Sequence, residues 1–326
     1  MKHWKMIIDG QEVDTSDKIE VNNPATLEII ATIPNGGVKE AKQAADAAAR
    51  AFKTWAQKTA AERSQLLMNW FQLIERHKKE IGEIMTTEQG KPLPEALGEV
   101  GYANSFISWY AEEGKRVYGE TIPASAPNKR LFVQKQAIGV IAAITPWNFP
   151  AAMITRKVAP ALAAGCTAVI KPSEFTPLTA LRIVQLAKEA GIPDGVLNIV
   201  TGDAAQIGAA WMEDSTIRKI SFTGSTRVGK LLMRQALELG GHAPFIITAN
   251  ADLEKAAKGL IVSKYRNAGQ TCVCANRVFV HESIEKLFLE IYKAEVAKLK
   301  TGNGLVLGND VGPLINGSAI KKVQEQ

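Results

Sequence analysis

A rhythm of short apolar runs and amphipathic stretches between residues 138 and 235 limits the fold more than any other feature of the chain. Residues 139–144, 167–170, 196–200 and 217–222 read as strands, alternating with helical patterns over 151–164, 178–190, 204–212 and 226–235. Gly165 follows the first of these helices, and Gly191 with Pro193 follows the second, where a chain commonly leaves a helix. The strands are short and apolar, which points to a parallel sheet covered on both faces. In such sheets ligands collect beyond the carboxyl ends of the strands. That rule selects four loops for chemistry: 145–148, 171–174, 201–203 and 223–225.

Upstream the pattern changes. Residues 6–8 and 11–13 flank Asp9-Gly10, a favoured two-residue hairpin turn. An extended stretch covers 27–33, and 38–55 is alanine-rich and helical. Thr59 and Glu62 form a capping box ahead of Leu66, Leu67, Trp70, Phe71 and Ile74 at helical spacing, and another helix is expected over 94–113. This first third reads as a helical layer whose tryptophans belong to a core. Arg76-His77-Lys78-Lys79 reads as the solvated face of a helix. Residues 118–136 are polar and extended, with Pro123 and Pro127, and read as an arm of paired strands. Such an arm either joins another subunit or forms a surface hairpin.

Thirty-nine basic and 33 acidic residues give a net charge of +6 with the signs interspersed, not the concentrated basic face of a nucleic-acid binder. An apolar share of 46% excludes disorder, and no apolar run has the roughly 18 residues that a membrane span needs. Cys166, Cys272 and Cys274 are too few for a disulfide framework, so a reducing cytoplasm is the expected location. His3, His77, His242 and His281 lack metal-ligand spacing, and no metal site is expected.

The loops offer several chemistries. Thr223-Gly224-Ser225-Thr226 joins a strand to a helix, where glycine permits close approach and helix N–H groups face an anion. Gly224 to Lys230 nearly matches the phosphate loop of nucleoside triphosphatases, but Leu231 stands where the Mg²⁺-binding hydroxyl belongs. The strict glycine fingerprint of dinucleotide binders is missing as well. Lys171-Pro172-Ser173-Glu174 offers charges for a nucleotide's ribose and phosphate, or forms an ordinary turn. Cys272 is either a buried hydrophobe or, given a base and a lowered pKa, a nucleophile. Glu238, just before Gly240-Gly241, is a candidate base, while Cys166 heads an apolar strand and reads as structural.

Five segments then occur in order: Thr145-Pro146-Trp147-Asn148-Phe149-Pro150, Lys171-Pro172-Ser173-Glu174, Phe222-Thr223-Gly224-Ser225, Leu237-Glu238-Leu239-Gly240-Gly241 and Gly269-Gln270-Thr271-Cys272. Together they resemble the aldehyde dehydrogenase superfamily over nearly the whole chain. Residues 153–157 and 266–274 look most like its succinate-semialdehyde branch. The resemblance implies an α/β fold: a Rossmann-like parallel-sheet cofactor domain, an α/β catalytic domain and an extended β arm. It implies that Cys272 attacks the aldehyde, that Asn148 with the Cys272 N–H holds the oxyanion, and that Glu238 activates water. It implies NAD or NADP as cofactor, lined by Thr145, Trp147, Lys171, Ser173, Glu174, Gly202, Phe222, Gly224, Ser225 and Leu239. Glu174 suits the free ribose hydroxyls of NAD and would repel the 2′-phosphate of NADP unless it turns away. Arg156 and Arg266 match the arginines that hold a substrate carboxylate. Cys274 matches a neighbour that in some relatives bonds to the nucleophile on oxidation.

The expected domains are 1–115 with 137–248 for the cofactor, 116–136 for an oligomerising arm, and 249–326 for the start of the catalytic domain. A homodimer or homotetramer is expected for the full-length form, with a small aldehyde as substrate. Two departures from the family pattern stand out. Ala236 runs straight into Leu237 where relatives carry a longer connection, so residues are expected to be missing there. Gly312-Pro313-Leu314-Ile315 matches a motif inside the family's catalytic domain, so that domain is expected to be incomplete. The alternative reading is an inactive relative that only binds a dinucleotide or a partner.

Overall fold

The structure, a computed structural model, describes residues 2–224, 229, 243–265, 274–302, 310, 311, 321 and 324. The chain forms two compact units, Met1–Ala236 and Leu237–Gln326.

The first unit opens with β1 (Lys2–His3), β2 (Met6–Ile8), β3 (Gln11–Val13), β4 (Lys18–Asn22) and β5 (Ile29–Pro34). Helices α1 (Val38–Trp55), α2 (Ala60–Arg76), α3 (Lys78–Gln89) and α4 (Leu93–Glu113) follow, then the strand pair β6 (Glu120–Ile122) and β7 (Leu131–Val133). The alternating part runs β8 (Val140–Ile144), α5 (Ala152–Ala163), β9 (Thr167–Lys171), α6 (Pro177–Glu189), β10 (Leu197–Ile199), α7 (Ala204–Glu213) and β11 (Ile217–Phe222).

The rhythm therefore becomes a sheet, with strand order β11-β8-β9-β10-β2-β3. Its first four strands are parallel, and β2 joins β10 antiparallel. Asp9 and Gly10 both take positive φ, 52° and 69°, which the tight β2–β3 turn requires. Along β8, Val140 and Ala142 face one core while Ile141 and Ala143 face the other. Both faces are apolar, which is why the strands read as continuous runs.

The first third is not one helical layer. The alanines of α1 and Trp211 of α7 cover one face of the sheet, and α2 to α6 pack on the other. Ala44, Ala45, Ala47 and Ala48 are buried, and their small size lets α1 lie close to the strands. Trp55, Trp70 and Trp211 are buried, each donating its indole N–H to a backbone carbonyl, of Leu162, Ile183 and Ala41. Trp109 differs: it lies on the outer face of α4 with 65% of its surface exposed.

Three further expectations need correction. The basic run 76–79 is a break between two helices, with His77 closing α2 and opening α3, and not a continuous face. Leu27 sits in a turn at φ 63°, so the extended stretch begins only at Ile29. It pairs with β4, a strand the sequence pattern did not suggest. Residues 120–133 do form a two-stranded antiparallel arm, with Phe132 exposed.

The second unit contains β12 (Ala243–Ile247), α8 (Leu253–Tyr265), β13 (Ala275–Val280) and α9 (Glu285–Val296). β12 and β13 are parallel neighbours, so β12-α8-β13 is a strand–helix–strand crossover. Ile247, Ala257, Leu260, Ala275 and Phe288 form its core. The Ala236–Leu237 junction and the 312–315 motif lie outside the described residues.

Candidate active site

The site is built at the carboxyl ends of β8 to β11. The chain runs from β8 outward through β9 to β10 and then crosses back to place β11 on the other side of β8, the reversal of strand order at which a crevice opens in doubly wound sheets. Backbone hydrogen bonds tie the strand ends together. Thr145 N–H donates to the Lys171 carbonyl at 3.1 Å, and Thr223 N–H to the Ile144 carbonyl at 3.0 Å.

Lys171, the last residue of β9, is buried and donates to Glu174 Oε2 at 2.9 Å and to the Pro172 carbonyl at 2.9 Å. Burial would raise the Glu174 pKa, but the charge and hydrogen bond of Lys171 hold it below the ordinary value. The pair is an ionised carboxylate presented at the crevice by a buried ammonium. Ser173 is buried and its Oγ accepts from the Phe175 N–H at 3.3 Å. Trp147 is half exposed at 52%, and its carbonyl accepts from the Thr176 hydroxyl at 3.3 Å. The Thr145 hydroxyl is buried with no hydrogen-bond partner among the described residues.

Two predicted glycines have packing reasons of their own. Gly202 has φ 130°, and a Cβ there would sit 2.0 Å from the Gly36 carbonyl oxygen. A Cβ on Gly224 would sit 2.4 Å from the ring of Phe222, which folds back over the turn.

The helix N-termini narrow the place for a phosphate. Glu99 of α4 accepts from Ala151 N–H at 3.0 Å and Ala152 N–H at 3.3 Å, at the start of α5. Glu88 of α3 accepts from Leu178 N–H at 2.7 Å and Thr179 N–H at 2.8 Å, at the start of α6. Asp203 caps α7 through Ala205 and Gln206. A carboxylate already occupies each of these dipole ends and would repel an anion. The turn after β11, at Thr223-Gly224, is the remaining strand end of the parallel sheet at this edge.

Lys157 is a site residue that the sequence reading missed. It projects from α5, and its Nζ donates to Thr223 Oγ1 at 2.6 Å and to Ser221 Oγ at 3.3 Å. Burial, and then the neighbouring Arg156 charge, depress its pKa. The available signal was two hydroxyls two residues apart, Ser221 in β11 and Thr223 just past its end. Arg156 is exposed, with its guanidinium carbon 5.6 Å from the Phe106 ring centroid. Asn148 is exposed on the loop after β8.

Thr145, Trp147, Asn148, Lys171, Ser173, Glu174, Gly202, Phe222 and Gly224 thus all lie at the carboxyl edge of one sheet. Ser225, Glu238, Leu239, Arg266 and Cys272 lie outside the described residues. Cys274 is buried immediately before β13, its thiol 3.6 Å from the Lys264 carbonyl. Among the described residues there is no cluster of three metal-ligating side chains, and no helix is long and apolar enough to cross a membrane.

The chain is 55% identical over 328 residues to the glutarate-semialdehyde dehydrogenase of Pseudomonas putida, covering 98% of this chain and 68% of that protein. It is 51% identical over 329 residues to an Escherichia coli succinate-semialdehyde dehydrogenase named for NADP(+), again covering 98% and 68%. The solved succinate-semialdehyde dehydrogenase of Burkholderia pseudomallei superposes with a TM-score of 0.71 at 52% identity, covering 99% of this chain and 69% of that one. The chain thus spans about two thirds of the length of these relatives. The sequence profile of the aldehyde dehydrogenase family matches residues 11–326, and the chain belongs to that family.

Proposed function

We propose that the chain carries the NAD(P)-binding and nucleophile-bearing parts of a dehydrogenase that oxidises an aldehyde with a distal anionic group, with succinate semialdehyde as the leading substrate. The similar proteins support the substrate class. Their names specify glutarate, succinate and aspartate semialdehydes and 3-sulfolactaldehyde, each an aldehyde with an anion at the far end. Arg156 and Arg266 supply planar cations suited to such a group. Glutarate semialdehyde, one methylene longer, is the second reading, favoured by the 55% identity to an enzyme of that name.

The observation that carries the cofactor reading is the buried Lys171 holding an ionised Glu174 at the strand end. The dinucleotide fits the described residues: Glu174 would accept from ribose hydroxyls, Gly224 would face the phosphates, and Thr145, Trp147, Ser173, Gly202 and Phe222 would line its path, while Ser225 and Leu239 join the set only through the family resemblance. When bound it supplies the hydride acceptor. An anionic Glu174 disfavours a 2′-phosphate, so NAD is preferred over NADP.

The protein's own residues do the rest. The Cys272 thiolate adds to the aldehyde carbon, and the carbonyl electron pair moves onto oxygen. The Asn148 side-chain amide and the Cys272 N–H donate to that oxyanion, where positioned donors are worth about a hundredfold or more in rate. Once the carbon has been oxidised to a thioester, Glu238 takes a proton from water. The water oxygen attacks the acyl carbon, and the acid departs as thiolate is restored. The sparse cysteines suit a reducing, cytoplasmic setting.

Steady-state oxidation of succinate semialdehyde and of butanal by wild type and Arg156→Leu tests the substrate reading. We expect kcat/KM for the semialdehyde to fall by about a hundredfold or more while butanal changes little, because a charge-assisted pair is lost only for the anion. Equal losses for both aldehydes would reject the role of Arg156.

A further inference from the structure

The five residues from Asn148 to Ala152 are gripped by two charged side chains that no step above uses. Glu99, on α4, accepts through Oε1 from the N–H groups of Ala151 and Ala152. Ala151 is the N-cap of α5 and has no side-chain acceptor of its own to offer. Lys91, two residues before α4, pairs with Glu99 Oε2 and donates to the Asn148 carbonyl at 3.0 Å. Its ammonium also lies 4.4 Å from the centroid of the Phe149 ring. The two side chains are 10% and 2% exposed.

A pair buried this deeply is poor evidence of a stabilising role, because desolvation offsets its attraction and apolar side chains of the same size would fill the space. Apolar side chains could not hold one carbonyl and two N–H groups of a single short stretch at once. The charges also divide the work in the right sense: the ammonium takes the acceptor, and the carboxylate takes the donors at the positive end of α5.

We propose that Lys91 and Glu99 are positioning residues for Asn148, fixing the backbone from which its amide is aimed at the oxyanion. This rests on the oxyanion role given to Asn148 above. Asn148 lies exposed on its loop, so its aim depends on the backbone under it. A misplacement of about 1 Å costs on the order of a hundredfold in rate.

The test is a cycle between this clamp and Asn148. The double variant Lys91→Met/Glu99→Gln removes both charges but leaves an amide oxygen to cap α5. It is made in wild type and in Asn148→Ala, and kcat, KM and the cofactor Kd are measured in each. The clamp change is expected to lower kcat about tenfold to a hundredfold in wild type, to leave the cofactor Kd within about twofold, and to have no further effect in Asn148→Ala. Lys91→Arg, which keeps the donor, is expected to retain most of the activity. Should the double variant fail to fold, Glu99→Gln alone gives the same cycle with a smaller loss, because the lysine loses its ionic anchor. An equal loss in both backgrounds refutes the clamp while leaving the oxyanion assignment standing. Wild-type kcat in Asn148→Ala overturns the oxyanion assignment, and the clamp with it.

Discussion

Glu88 makes the stability of the first unit depend on pH in an unusual direction. Its carboxyl is buried at the start of α6, where it accepts the N–H groups of Leu178 and Thr179. Burial pushes its pKa up from 4.5 to about 7; the hydrogen bonds pull it down, and the nearby charge of Glu99 adds to the rise. A carboxyl whose pKa is higher folded than unfolded contributes stability that is complete below the unfolded value and fades as pH climbs through the folded one. The window is therefore about 4.5 to 7. At somewhat over 1 kcal/mol per unit, this shift is worth about 3 kcal/mol in all, most of which disappears between about pH 5 and about pH 8. Glu88→Gln cannot ionise. Its amide leaves one N–H poorly paired, a cost of about 1–3 kcal/mol that does not vary with pH. The difference between wild type and variant thus isolates the titration. All six tryptophans fall within the first unit, so urea unfolding followed by tryptophan emission reports that unit alone. Stability of wild type relative to Glu88→Gln should fall by about 2–3 kcal/mol from about pH 5 to about pH 8. A difference that stays constant across that range refutes the reasoning.

Three other outcomes follow from the geometry. Glu174→Gln removes the carboxylate proposed to meet the ribose and should shift the ratio of kcat/KM values toward NADP by about tenfold, read from initial rates with each cofactor. Gly202→Ala forces a Cβ against the Gly36 backbone at a strained φ and should destabilise the first unit by about 2–4 kcal/mol, measured by the same urea unfolding. The β6–β7 arm exposes Ile122, Leu131, Phe132 and Val133, and we propose that it joins subunits, so Phe132→Glu should lower the mass read by light scattering; an unchanged mass would remove the arm from the interface.

The parallel sheet was legible because strands covered on both faces must be apolar throughout, and residues 140–144, 167–171 and 197–199 carry that mark without outside help. The Thr59 capping box was legible for the same reason, since both partners lie within one turn. What the sequence hid depends on distant partners. Helix α3 is polar along much of its length, and its signal ran into the basic residues at the His77 break. That β2 would lie against β10 is a contact across about 190 residues, with no local trace. The site divides in the same way. Lys171 and Glu174 are three residues apart and readable as a pair. Glu99 and Lys91 act on residues 52 to 57 positions away, and the only sign in the sequence is that Ala151 cannot cap its own helix.

The central claim is that Cys272 forms a thioester which Glu238 then directs to hydrolysis. Glu238→Gln, given succinate semialdehyde and NAD and then quenched in acid, should gain the mass of one succinyl group, with peptide mapping placing it on Cys272 and Cys272→Ala gaining none. Reduced cofactor formed with no acyl group on Cys272, or an acyl group carried by another residue, would contradict the account.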